Sequence, residues 1–312
     1  MYLNLLLSCL FAFSLCVNSV YAGKAKPPAP PPQHKDVSYG PHEPNVFDFW
    51  DALGDKPGPH PLVIEIHGGS WTGYDKSRAS WPNEYIAAGM SYATINYRHA
   101  PDNPLPVPVM DAVRAVQFLR LNAKKYNIDP NRIALAGVSA GACTSMNILL
   151  HDDFADPKSK DPVLRVSSRV TAAIVNVGQT TIEPKVISEW LGPKAVNHGM
   201  ICCAVGKRNI KEVLADYDKY EALYKEFSPI NHVDKNDPPL FINHTIPAST
   251  ANIQNGNIHS GQFSAKLKEK SDKLGHKVYV LAKWPSDEKW LKYKSAVEFL
   301  CDQFKLPKPK DK

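Results

Sequence analysis

Cysteine is sparse in this chain, six in 312 residues. Cys9 and Cys16 fall in an apolar leader. The other four, Cys143, Cys202, Cys203 and Cys301, are too few and too scattered for a disulfide framework. A small domain stapled by cross-links is therefore excluded, and Cys143 reads as a small buried apolar residue. The eleven histidines form no His-x-x-x-His or His-Glu-x-x-His spacing, so no metal ligand set is expected and metal catalysis is set aside. No phosphate loop or dinucleotide fingerprint occurs, and no cofactor is expected. The net charge is +6, yet no basic stripe interleaves with aromatics, which argues against a nucleic-acid partner.

What is present begins with the leader. Leu3 to Val20 is nearly all apolar, and Val20-Tyr21-Ala22 places small residues where a signal peptidase reads them. The n-region lacks Lys and Arg, a departure from the usual signal. The expectation is a cleaved signal peptide over 1–22, export to a periplasmic or extracellular space, and no stable membrane insertion after cleavage. Residues 23–35, with Pro27-Pro28-Ala29-Pro30-Pro31-Pro32, read as an extended proline-rich spacer. A folded domain is expected over 36–305, followed by a solvated basic tail at 306–312.

Within that domain the commanding stretch is Gly137-Val138-Ser139-Ala140-Gly141. The apolar run Ile133 to Ala136 precedes it, and small residues that can be helical follow it as far as Leu150. A serine between two glycines, strand behind and helix ahead, describes a nucleophile elbow. Ser139 must then take strained backbone angles, and the glycines supply room where a Cβ would collide.

Apolar stretches alternate with amphipathic ones along the chain. Val46–Trp50, Pro61–Ile66, Ser91–Tyr97, Val170–Val175, Leu240–Asn243 and Lys277–Leu281 read as strands. From Val107 to Tyr126 apolar residues recur at helical spacing (Val109, Val113, Val116, Leu119), a helix before the elbow strand, with Asp129-Pro130 closing the connection. Another helix is expected from Gly261 to Leu274, stopped by Gly275, and a last one carries Trp290, Tyr293, Val297, Leu300 and Phe304. A sixty-residue insertion, about 178–238, includes a tyrosine-rich helical stretch from Lys211 to Phe227. The fold class is α/β: a mostly parallel central sheet with helices on both faces and a cap.

These residues together resemble the α/β-hydrolases, more narrowly the hormone-sensitive-lipase-like and feruloyl-esterase-like exported esterases. His67-Gly68-Gly69-Ser70-Trp71 is similar to the family's His-Gly-Gly-x-Trp loop, and Asn96-Tyr97-Arg98 to the tyrosine-arginine pair after the next strand. Asp111 to Ala115 resembles the start of the helix before the elbow strand. The resemblance implies an ester substrate, small-molecule or polysaccharide, with acyl or feruloyl groups among the candidates. It also implies an oxyanion hole formed with Gly68, Gly69, Ser70 and Ala140. Such donors aim at the charge that develops on the carbonyl oxygen, and losing one slows catalysis by about a hundredfold or more. His67 is expected to brace that loop, and Asp111 with Arg98 to form a structural pair.

The remainder of the expected triad is missing from its usual places. The acid normally follows the penultimate strand and the histidine the last strand. Here the first place reads Asn243-His244-Thr245-Ile246, and no histidine occurs from Lys277 to Lys312. A serine without a base is a poor nucleophile at neutral pH. The expectation is a swapped arrangement, with His259 as base and Asp287 or Glu288 as acid, since geometry and not chain order defines a triad. His244 is a second histidine on the same rim. The alternative is a catalytically impaired binding protein that keeps the fold and pocket, with His259 a surface loop residue.

Overall fold

Each central strand is apolar on both sides, and the sheet shows why. In the computed structural model eight strands form one sheet in the order β1-β2-β4-β3-β5-β6-β7-β8. The strands are β1 (His34–Ser38), β2 (Val46–Trp50), β3 (His60–Ile66), β4 (Ser91–Ile95), β5 (Ile128–Val138), β6 (Ala172–Asn176), β7 (Leu240–His244) and β8 (Val278–Ala282). β1 with β2, and β2 with β4, pair antiparallel, and the six from β4 to β8 run parallel. The structure describes residues 29–53, 57–78, 82–244, 256–282 and 292–308. The proposed leader at 1–22, residues 23–28 of the proline-rich spacer, Asp287, Glu288, Trp290 and the end of the basic tail lie outside them. The described residues from Pro31 onward belong to one compact unit.

Alternate strand residues feed two cores, as parallel strands buried on both faces require. Val63, Tyr92, Ala134, Ala136, Ile174 and Phe241 pack with α1 (Pro82–Ala87) and the last helix, α9 (Ala296–Phe304). Leu62, Ile64, Ile66, Leu135, Val175 and Ile242 pack on the opposite side. That side is covered by α2 (Val107–Leu121), α3 (Ala140–Leu150) and α8 (Gln262–Leu274). Gly275 ends α8 in the left-handed conformation, as its sequence position predicts.

Three local readings change. β1 starts at His34, inside the stretch read as spacer, because the His34 ring packs on Phe49 and Tyr126 at 5.9 and 5.3 Å. Asp129-Pro130 belongs to β5 and not to the connection before it. The ladder is irregular between His60 and Leu62 opposite this point, where a missing proline N–H is tolerated. Helix α2 stops at Leu121.

The insertion folds as α4 (Pro184–Leu191), α5 (Gly199–Cys203), α6 (Ile210–Ala215) and α7 (Tyr217–Glu226), with one short 3-10 turn between α4 and α5 and another after α7. The single helical stretch expected from Lys211 to Phe227 breaks at Asp216. Tyr217 and Tyr224 are buried, and their hydroxyls donate to Glu183 Oε1 at 2.5 Å and to the Ile201 carbonyl at 2.7 Å. These tyrosines pack the insertion's own core. Cys143, Cys202, Cys203 and Cys301 are all free. Cys143 is fully buried, which pushes its thiol pKa up and keeps it protonated. Among the described residues no helix is long and apolar enough to cross a membrane.

Candidate active site

The elbow is built by close backbone approach. A Cβ on Gly137 would stand 2.4 Å from the Gly141 carbonyl oxygen. One on Gly141 would stand 2.0 Å from that of Ile66. Only glycine lets α3 start this near to β3 and β5. Ser139, between them, has φ 53° and ψ −117°, a sparsely populated conformation costing about 1–3 kcal/mol. The neighbouring strand holds it there: Ser139 N–H donates to the Asn176 carbonyl at 3.0 Å, and its own carbonyl accepts from Cys143 N–H at 2.9 Å. The hydroxyl makes no cap for α3 and is left for another partner.

That partner is His259. Its Nε2 lies 2.8 Å from Ser139 Oγ, across 120 residues of sequence. Four contacts pin the loop that carries it. Asn257 Oδ1 accepts from His259 N–H at 2.9 Å, and Ser260 N–H donates to the Asn257 carbonyl. Gln179 Nε2 donates to the Ile258 carbonyl at 3.0 Å. His244 Nε2 donates to the His259 carbonyl at 2.8 Å. A carbonyl only accepts, so the His244 proton sits on Nε2, and Nδ1 accepts from the Ser264 hydroxyl at 2.5 Å. Of the two rim histidines, His259 meets the serine and His244 holds the backbone of His259.

Burial and the nearby His198 and His244 rings hold the His259 pKa down at about 4. The ring is therefore neutral at pH 7, with its Nε2 lone pair able to take the serine proton. Among the described residues no carboxylate hydrogen-bonds this ring. Asp287 and Glu288, read as acid candidates, lie outside those residues.

The loop after β3 faces the elbow. A Cβ on Gly68 would fall 2.8 Å from the Val138 carbonyl oxygen and 3.4 Å from Ser139 Cβ, so this loop runs directly past the serine. Gly69, Ser70 and Trp71 follow with φ of 94°, 58° and 61°, three successive residues of positive φ that curl the chain sharply. Trp71 is fully buried and donates from Nε1 to Thr144 Oγ1 at 2.9 Å, while the Thr144 hydroxyl donates to the Ala140 carbonyl at 3.0 Å. One chain of hydrogen bonds thus joins Trp71, the residue after Ser70, to Ala140, the first residue of α3.

His67 is kept from the serine. Its Nδ1–H donates to the Gly68 carbonyl at 2.8 Å, and its ring stacks on Tyr97 at 4.2 Å. Burial holds its pKa at about 4. The Tyr97 hydroxyl lies 2.9 Å from the His67 carbonyl and 3.1 Å from that of Gly68. Arg98 grips Asp111 with two side-chain bonds of 2.9 and 2.7 Å, a planar fork that fixes the strand end to α2. Sequence reading did not find Gln179 or His198. Asn257, two residues before the histidine, carries a readable signal, since asparagine side chains cap the backbone two residues on.

This sheet order, with a serine elbow after β5 and a glycine loop after β3, is that of the α/β-hydrolases. The chain belongs to the BD-FAE family, which matches residues 53–260. It is similar to a protein of Mycobacterium tuberculosis called "Probable carboxylic ester hydrolase LipM", 28% identical over 214 residues, 67% of this chain and 46% of that protein. The esterase LipQ of the same organism is 27% identical over 217 residues, 68% of this chain and 48% of LipQ. The chain spans about half the length of these curated relatives. Among solved structures, a truncated carbohydrate esterase from gut microbiota superposes with a TM-score of 0.66 at 23% identity. That match covers 86% of this chain and 95% of the other, a likeness of fold.

Proposed function

We propose that the protein is a carboxylic-ester hydrolase with Ser139 as nucleophile and His259 as general base. The observation that carries this is the 2.8 Å approach of His259 Nε2 to Ser139 Oγ at a strained elbow. As Ser139 Oγ forms a bond to the ester carbonyl carbon, its proton passes to His259 Nε2. The carbonyl oxygen takes up the negative charge, for which the N–H groups of Ala140, Gly69 and Ser70 are the assigned donors. Collapse expels the alcohol, which takes the proton from His259. Water then repeats the cycle in reverse, with His259 as base again, and releases the carboxylic acid.

The protonated ring needs a counter-charge, and we assign that role to Asp287 or Glu288 from their place in the sequence. The substrate class we favour is an acylated carbohydrate, supported by the carbohydrate-esterase fold neighbour and by the sequence resemblance to feruloyl esterases. Export rests on the leader at 1–22. The test is labelling of the purified protein by a fluorophosphonate probe, which reacts only with an activated serine. The expected outcome is stoichiometric labelling that vanishes in Ser139→Ala and falls steeply in His259→Ala. A well-folded protein left unlabelled from pH 5 to 9 overturns the proposal in favour of the binding protein.

A further inference from the structure

At the far end of α3 from the serine, three side chains converge that take no part in the chemistry above. His151 follows the last residue of α3, Glu226 is the last residue of α7, and His232 follows the short turn after it. One ring nitrogen from each histidine and a Glu226 carboxylate oxygen all lie within 4.8 Å of one another. The two histidine rings are 4.7 Å apart, and Phe154 stacks on the His151 ring at 4.3 Å.

The hydrogen bonds decide which nitrogens have lone pairs. His151 Nδ1 faces the Asp152 carbonyl at 3.1 Å, and His232 Nε2 faces the Glu226 carbonyl at 2.6 Å. Carbonyls only accept, so each ring donates there and a neutral ring keeps its lone pair on the other nitrogen. That is the outer-shell pattern of metal-binding histidines, one N–H fixed by a backbone carbonyl and the other nitrogen bare. His151 Nε2 then confronts Glu226 Oε1 at 2.9 Å, acceptor against acceptor. A cation would bridge that pair of acceptors, whereas the other tautomer, with its proton on Nε2, donates to Glu226 directly. The carboxyl ends of α3 and α7 meet here as well, and helix C-termini favour positive charge. Arg169 donates to the His151 backbone carbonyl at 2.6 Å, and Asp237 stands 3.9 Å from that guanidinium.

We propose that His151, Glu226 and His232 bind a divalent transition-metal ion, zinc being the first to test, with water completing the coordination. Two imidazoles and one carboxylate are a donor set that suits zinc, and an exposed Glu226 can close the few tenths to about 1 Å needed for bonds of ~2.0–2.2 Å. The ion would fasten the insertion to the elbow helix, a structural role independent of ester hydrolysis. It lies outside the spacing rules of a single helix because its ligands are brought together from positions 151, 226 and 232.

The experiment is calorimetric titration and thermal unfolding of the tag-free full chain with zinc sulfate, and with magnesium chloride as a hard-cation control. The expected result is one zinc per chain and a rise in Tm of about 5 °C or more once zinc exceeds its Kd a hundredfold, with no response to magnesium. Glu226→Gln and His232→Ala should each remove the zinc response while melting near the metal-free parent. An unresponsive parent, or a response of equal size in both variants, overturns the site. The contact between His151 and Glu226 is then an ordinary hydrogen bond.

Discussion

His244 is the residue whose place in the sequence most invites misreading. It stands at the end of β7, near where the family's acid is expected, yet its Nε2–H is spent on the His259 carbonyl and its Nδ1 on Ser264. Under the proposed mechanism it positions the base. His244→Asn should lower kcat tenfold or more and slow fluorophosphonate labelling, with KM nearly unchanged, because the substrate does not touch it. Steady-state kinetics on a p-nitrophenyl ester reads the split. An equal rise in KM would mean a general collapse of the pocket. Ser139→Ala and His259→Ala should each cost about a hundredfold to ten-thousandfold or more on the same substrate, since removing a general base typically costs that much. His67→Asn acts otherwise. It loosens the stack on Tyr97 and the glycine loop, so the loss should fall in turnover and not in labelling stoichiometry. The elbow at Ser139 was legible from its two glycines, whereas the sequence offered both His259 and His244 on the same rim and could not choose between them. Gln179 was not legible, because its partner is the Ile258 carbonyl and a backbone atom leaves no trace in sequence.

At the scale of elements, the elbow depends on how near α3 comes to β3. In Gly141→Ala the new methyl meets the carbonyls of Ile66 and His67 at 2.0 and 2.6 Å. Neither can retreat without breaking the β3–β5 ladder. The variant should lose about 1–3 kcal/mol or more, the usual cost of overpacking, and should lose labelling with it. Gly199→Ala is the control, since a Cβ there meets nothing within 4 Å. Urea midpoints should move for the first and stay for the second. Strands were readable here because burial on both faces makes their runs continuously apolar. The break at Asp216 was not, because the tyrosines on either side suit one long helix as well as two short ones. Tertiary contacts of Tyr217 with Glu183 and of Tyr224 with Ile201 settle that choice.

Over the whole molecule, buried histidines set the response to acid. Burial lowers the pKa of His67, His99, His198, His244 and His259. The unfolded chain therefore binds more protons than the folded one as pH falls below about 6.5. Stability is complete above that pH and is lost on the way down to about 4, where His67 and His259 protonate in place. Protonating His67 alone costs roughly 3 kcal/mol by the time pH falls below 4. Urea midpoints from pH 7.5 to 4.5 should decline steadily, and His67→Asn should flatten part of the decline. A flat profile would mean that these rings are hydrated. Ester hydrolysis should keep its acid limb below the ordinary histidine range, for the same reason of burial. The linear chain by itself determined the α/β alternation, the serine elbow and the glycine loop, because each is a local pattern of size, polarity and backbone freedom. Only the tertiary structure decided which histidine lies against the serine. Sheet order brings the loop after β7 beside the turn after β5, and an approach across 120 residues follows from packing and not from spacing.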